Sequence, residues 1–424
     1  MRAVDAMVLH IGSRHRRPCF GSPHSPETDT LPFVPAPLFR PANRPTEEST
    51  LRIALVIERF IPGAGGVENV AWQVAHELAQ QGESVTIIAR EAAPSSPLPI
   101  VPIFAPATWQ PTRLLLFSRG AARATRTGFD IVHSFSHTRH QDLFRAGGGT
   151  QIDHLRRNFQ GTARRLRKLS PRYRVRLAVE HAVFQNSTQR IQCSSRLVAD
   201  SLQRDHHVPE DRIFLLPNAV DASAFEGAEL DREAQLLRAR LSPDGGPVWL
   251  FPGSGWHRKG LSTALDVIAR CPGQDAHLWV AGRDAIAPWQ EQAQALGIAA
   301  RVHFLGERAD LPAVYRAADG VLLPTRYDAF ANVTLEAAAA GRPIITTASN
   351  GASEWLGDDV HVIPGADDVG GFVAALAELR DPVRARAVGH ALGRRAREFS
   401  WPAHVSRLRQ EYEAILERRK AIAS

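Results

Sequence analysis

Short apolar runs, each followed by a stretch of helical period, recur along this chain from residue 51 onward. "LRIALVIERF" (51–60) opens the series, and "IPGAGGVENVAWQVAHELAQQGESVTIIAR" continues it as a turn, an amphipathic helix and a second strand. The pattern returns in "DIVHSFS" (130–136), "TQRIQCSS" (188–195), "RIFLLPNAV" (212–220), "PVWLFPGSG" (247–255), "HLWVAGR" (277–283), "VHFLGE" (302–307), "GVLLP" (320–324) and "PIITT" (343–347). A strand without polar alternation is buried on both faces, which a sheet achieves when its strands run parallel and helices cover both sides. The periods therefore predict an α/β chain of two Rossmann-like domains, 51–220 and 221–401, with a cleft between them. The polar, glycine-rich residues 221–247 are expected to form the passage between domains, and the amphipathic helix 402–421 to pack back on the first. A chain of 424 residues is long enough for two such cores.

In sheets of this kind ligands bind beyond the carboxyl ends of the strands. The turn after 51–60 carries Gly65 and Gly66, which let the backbone approach an anion at a helix N-terminus. His133 lies near the carboxyl end of 130–136. The richest stretch is "YDAFANVTLEAAAAGRPIITT" (327–347). Its residues 333–340 predict a helix that begins near Asn332, favoured by Leu335, Glu336 and four consecutive alanines and stopped by Gly341 and Pro343. Asp328 to Val333 then fall on the loop and first turn, where free N–H groups make an anion site. Glu336 suits two vicinal hydroxyls, as a ribose offers. Equally, Asp328 and Asn332 read as helix caps and Glu336 as a complement to the dipole.

Composition narrows the class. Hydrophobic residues make up 44% and charged residues 22%, as in soluble globular chains. The three cysteines, Cys19, Cys193 and Cys271, have no metal-ligand spacing and form an odd set, which points to a reducing compartment. No run is long enough to cross a bilayer, and no secretory apolar segment opens the chain. The expectation is a cytoplasmic protein, at most peripheral on the inner face of the cytoplasmic membrane. The formal charge of +7 is unevenly spread. Residues 1–50 are rich in proline and arginine without period and read as a disordered leader. Residues 154–181, "HLRRNFQGTARRLRKLSPRYRVRLAVEH", hold nine arginines or lysines before their first acid, Glu180, interleaved with Leu155, Phe159, Leu166, Leu169, Tyr173 and Leu177. Such a segment suits an anionic membrane surface, through 154–177, or an acidic ligand; a solvated helix face is the plainer reading. No recognition-helix or zinc-finger pattern accompanies it, so nucleic acid is not expected as a partner.

"GSGWHRKGLSTALDVI" (253–268) and "VHFLGERADLPAVYRAADGVLLPTRYDAFANVTLEAAAAGRPIITT" (302–347), taken together, resemble the retaining nucleotide-sugar glycosyltransferases of the GT-B fold, family 4. The resemblance covers about 51–420. It implies that Arg258 and Lys259 grip the donor diphosphate, stabilising its developing charge without a metal. The absence of any Asp-x-Asp pair agrees with that route. The family's paired acids, Glu and a second Glu after seven residues, fall on Asp328 and Glu336. Asp328 is then expected to hold a hydroxyl of the donor sugar and Glu336 the ribose, while N–H groups near Phe330, Asn332 and Val333 add to the phosphate grip. In the first half, "SFSHTRHQDLFRAGGG" (134–149) and "SPRYRVRLAVEHAVFQ" (170–185) resemble the lipopolysaccharide inner-core glucosyltransferases that act on heptose. In that subgroup the positions of Asp142 and of the Gly65–Gly66 loop face the reacting sugar. Asp142 or His133 is expected to take the acceptor proton or to act as a polar anchor.

The implied reaction moves a hexose, glucose by that analogy, from a UDP-sugar co-substrate to a lipid-linked or core-oligosaccharide acceptor, with no cofactor and no metal. Two departures stand out: Asp in place of Glu at 328 shortens the reach by one methylene, and residues 1–50 have no family counterpart. Two other classes fit parts of the chain. An NAD-dependent oxidoreductase shares the double Rossmann plan, but the first turn reads G-A-G-G-V-E rather than G-x-G-x-x-G. A non-catalytic basic membrane-binding module leaves Arg258, Lys259 and Glu336 unexplained.

Overall fold

All strand pairings among the described residues are parallel. They belong to a computed structural model that describes residues 50–423 apart from 107–108 and 160. The expected leader, but for its last residue, and Cys19 lie outside the described residues.

The first sheet holds β1 (Arg52–Phe60), β2 (Ser84–Ala92), β3 (Ile100–Pro102), β4 (Ile131–Ser134), β5 (Leu143–Ala146), β6 (Arg190–Cys193) and β7 (Ile213–Leu215), in the order β3-β2-β1-β4-β5-β6-β7. The second holds β8 (Val248–Pro252), β9 (His277–Ala281), β10 (Val302–Gly306), β11 (Gly320–Leu323), β12 (Ile344–Thr347) and β13 (His361–Ile363), in the order β10-β9-β8-β11-β12-β13. The continuous apolar runs are these strands: all five residues of β8 and of β9 and all four of β11 and of β12 are buried. Alternation along β1 divides its side chains between two cores. Ile53, Leu55 and Ile57 pack with Val70, Val74 and Leu78 of the helix Gly66–Gln80 and with Leu408 and Tyr412 of the last helix, Trp401–Ala423. Ala54 and Val56 face Phe117 and Val132 on the other side. Each fully buried Leu, Ile or Val contributes about 1.5–3 kcal/mol, so these two layers fix which face of β1 is which.

Some elements differ from expectation. The passage 221–247 contains a helix, Ala228–Leu241, which buries only Ala234 and Leu237 and is polar elsewhere. Its polarity reflects a narrow contact face, not an extended linker. The basic segment is three helices, Gln151–Asn158, Gly161–Leu169 and Pro171–Phe184. Only the middle one is without buried residues. No helix among the described residues is long and apolar enough to cross a membrane.

In each sheet the strand order reverses beside the first strand, between β1 and β4 and between β8 and β11. At such a reversal the adjacent loops diverge to opposite faces and open a crevice at the carboxyl edge.

Candidate functional site

The crevice of the second sheet gathers the motif residues. The loop after β8 turns into a short helix, Trp256–Lys259, framed by Gly255 and Gly260 with φ of 82° and 84°. Gly260 is required here, because a β-carbon would strike the carbonyl oxygen of Pro324 at the end of β11. This close approach delivers Arg258 and Lys259 to the loop after β11. Arg258 Nη1 donates to Tyr327 O at 2.7 Å and to Asp328 Oδ2 at 2.8 Å. Lys259 Nζ lies 3.6 Å from the same Oδ2 on a side chain only 7% exposed. Burial would raise the Asp328 carboxyl, but the Lys259 and Arg258 charges overcome it and hold the group below the usual carboxylate range. Burial pulls the Lys259 ammonium below its ordinary value, with Asp328 opposing.

The helix after this loop is Asn332–Ala339, and no side chain caps it. Asp328 and Asn332 are therefore not its caps. Asp328 Oδ1 instead accepts from Phe330 N at 3.3 Å, and Asn350 Oδ1 accepts from Ala331 N at 3.3 Å. The amides of Asn332 and Val333, the first two residues of the helix, are in the positions that no intrahelical carbonyl can reach. Glu336 lies one turn further in, where its Oε2 accepts from the hydroxyl of the buried Tyr315 at 2.8 Å. Burial raises the Glu336 carboxyl, against the Tyr315 bond and the Lys259 charge.

This loop also touches the first sheet's loops. Tyr327 reaches the place a β-carbon of Gly149 would occupy, and its ring lies 4.9 Å under the Arg157 guanidinium. Ser195 Oγ donates to Ala329 O at 2.7 Å, and Asn218 Nδ2 donates to Asn332 Oδ1 at 2.6 Å. Asn332 Nδ2 lies 3.6 Å from where a β-carbon of Gly66 would be. Gly65 and Gly66 thus begin a helix that faces the start of Asn332–Ala339. That first helix is also uncapped, but the Glu68 carboxylate lies against Gly65 and pairs with Arg59 at 2.7 Å.

Two expected residues are not brought here. Asp142 precedes β5 and so lies at the amino edge of the sheet, away from the crevice. Its carboxylate accepts from Val132 N at 2.8 Å and pairs with Arg419 of the last helix. His133 is interior to β4 and has no exposed surface. Its Nδ1 is 2.9 Å from the Tyr412 hydroxyl, and burial, with the Arg145 charge, pushes it down to about 3. Neither is placed to exchange a proton with a bound acceptor.

His137, three residues past β4 on the carboxyl-edge loop, was not singled out by the sequence reading. Its Nε2 is 3.8 Å from Glu180 Oε2, and burial lowers its pKa against the pull of that carboxylate. Glu180 has no exposed surface; it accepts from Gln151 N at 2.9 and 3.0 Å and lies 3.0 Å from His206 Nε2. The signal was available: Glu180 is the first acid after nine cations.

Two crevices facing each other across parallel sheets, with the motif cations and acids in the second, define the GT-B glycosyltransferase class. Comparison with known proteins agrees. The family model for glycosyl transferases group 1 matches residues 246–381, and that for glycosyltransferase family 4 matches 64–224. The D-inositol 3-phosphate glycosyltransferase of Mycobacterium sp. strain KMS is 30% identical over 370 residues, 77% of this chain and 81% of that one. The lipopolysaccharide glucosyltransferase WaaG of Escherichia coli K12 is 29% identical over 199 residues, 46% of this chain and 53% of WaaG. In fold, the chain is similar to the crystal structure of WaaG, with a TM-score of 0.72 and 20% identity over 86% of this chain and 99% of that one. HepE of Anabaena, solved in complex with UDP and glucose, gives a TM-score of 0.67 and 15% identity over 86% and 100%. The chain belongs to the family 4 glycosyltransferases. The oxidoreductase and non-catalytic readings are thereby set aside.

Proposed function

We propose that the protein is a retaining, metal-independent transferase that moves a hexose, glucose in our reading, from a UDP-sugar to a hydroxyl of a lipopolysaccharide core or related surface glycan. The observation that carries the reading is the convergence of Arg258 and Lys259 on Asp328, beside the uncapped start of Asn332–Ala339. A leaving diphosphate gains negative charge in the transition state, and fixed cations and helix amides in a water-poor site stabilise it there. The diphosphate takes over the two cations from Asp328, which frees that carboxylate to accept a hydroxyl of the hexose. Glu336, oriented by Tyr315, accepts the ribose hydroxyls.

Acceptor delivery at the inner face of the membrane is supported by the helix Gly161–Leu169. Arg164, Arg165, Arg167 and Lys168 accompany Leu166 and Leu169, which are 70% and 72% exposed. A second acceptor class, a soluble phosphorylated polyol, is favoured by the longer reach of similarity to the D-inositol 3-phosphate enzymes, 77% of this chain against 46% for WaaG. Donor hydrolysis and transfer over a panel of UDP-, GDP- and ADP-sugars, with core oligosaccharide and inositol phosphate as acceptors, tests both. Turnover of a UDP-hexose with the oligosaccharide is expected; turnover only with another nucleotide or only with the polyol contradicts the first reading.

A further inference from the structure

Arg145, in β5, is 4% exposed, and among the described residues no carboxylate pairs with it. Its Nη2 donates to Asn218 Oδ1 at 2.7 Å, while Nε and Nη1 meet no acceptor. The Phe135 ring lies 5.7 Å from the guanidinium carbon. Its ionisable neighbours offer no balance, because His133 and His404 are both held neutral, chiefly by burial and further by the Arg145 charge itself. Burial lowers the guanidinium to about 10, which leaves it charged at neutral pH. An unpaired buried cation carries a desolvation penalty that an apolar residue of similar volume avoids. A charge kept under those terms needs an anion, and the described residues do not provide one.

The hydrogen bonds of Arg145 lead toward the crevice. Arg145 donates to Asn218, Asn218 donates to Asn332, and Asn332 is the first residue of the uncapped helix facing Gly66. With its oxygen occupied by Asn218, the Asn332 side chain turns its Nδ2 protons toward the crevice. Each bond polarises the next in a low-dielectric interior. We propose that Arg145 is a buried counter-charge for the donor diphosphate, a positioning residue that acts through Asn218 and Asn332. This rests on the nucleotide-sugar reading above. Before the donor binds, the three cations Arg145, Arg258 and Lys259 outnumber the two carboxylates Asp328 and Glu336, an excess that favours an anionic diphosphate.

The proposal predicts opposite signs for stability and binding. In Arg145→Met the ligand-free protein should unfold at the wild-type temperature or higher, while UDP binds at least tenfold more weakly by calorimetry. Arg145→Lys, which keeps the charge, should recover part of that loss. Asn218→Ala leaves the arginine in place and should weaken UDP by roughly three- to tenfold, which keeps the test open if Arg145→Met does not fold. A lower unfolding temperature in Arg145→Met with UDP affinity within threefold of wild type makes Arg145 a packing residue and overturns the proposal. UDP affinity unchanged in Asn218→Ala overturns the relay. Failure of the wild-type protein to bind UDP overturns the nucleotide-sugar reading itself, a result distinct from either.

Discussion

Lys259 Nζ and Asp328 Oδ2 face one another at 3.6 Å on side chains 7% and 14% exposed, and Arg258 Nη1 reaches the same oxygen at 2.8 Å. One carboxylate thus holds two cations at the point where the second sheet's strand order reverses. Lys259→Ala removes a cation whose partner charge grows in the transition state, while Arg258 still satisfies Asp328. We expect kcat to fall by roughly a hundredfold with folding intact. Wild-type turnover in that variant, measured by UDP release, would take Lys259 out of the mechanism.

His133 and His404 make stability depend on pH. Both have folded values near 3, chiefly through burial, against about 6.5 when unfolded. A depressed folded pKa means that the stability is fully present above the unfolded value and is lost as pH falls toward the folded one. At pH 5 each histidine should subtract about 2 kcal/mol relative to pH 7. Urea unfolding at the two pH values measures the slope, which His133→Gln or His404→Gln should flatten. An unchanged slope in both variants would contradict the neutral, buried assignment.

Asp142→Asn separates the edge position from a catalytic one. It loses the charge of the Arg419 pair and weakens the bond from Val132 N, so unfolding should come earlier by about 1 kcal/mol. Because Asp142 lies at the amino edge of the sheet, kcat/KM should stay within roughly threefold of wild type. A hundredfold fall would return Asp142 to the mechanism.

Strand runs and the donor motif were legible because each is local. An apolar run such as Val248–Pro252 announces burial on both faces, and the spacing of Asp328 and Glu336 sets both on one loop and helix start. The strands β3, β5 and β13 were not legible, and in β3 the reason is plain: all three residues are exposed, so no burial shows in the residue pattern. The Asp142 and His133 expectations missed for another reason. Sequence places a residue beside a strand without saying which edge it marks or where its side chain turns: Asp142 precedes β5 instead of following it, and His133, near the end of β4, is buried against Tyr412. Arg145, Asn218 and Asn332 are 73 and 114 residues apart along the chain, so their chain of bonds exists only in the fold.

The basic segment divides its labour. Arg156 pairs with Asp205 at 2.7 Å and Arg157 with Asp153 at 2.8 Å, so replacing them should lower stability. Arg164, Arg165, Arg167 and Lys168 belong to the wholly exposed helix, so their replacement by Gln should leave stability alone and weaken binding to anionic vesicles steeply, as added salt does. Equal binding of the wild-type protein to neutral and anionic vesicles would contradict the electrostatic account.

The central claim, that Arg258, Lys259, Asp328 and Glu336 form a nucleotide-sugar site with the two acids on hydroxyls, is tested most directly by calorimetric titration of UDP. Asp328 competes with the diphosphate for the cations, so Asp328→Asn should bind UDP as tightly as the wild-type protein or more so, while kcat/KM for the donor falls. Glu336→Gln loses its charge-assisted bonds to the ribose and should bind UDP about tenfold more weakly. Loss of UDP affinity in Asp328→Asn with none in Glu336→Gln would reverse the two roles, and no UDP binding by the wild-type protein would contradict the site itself.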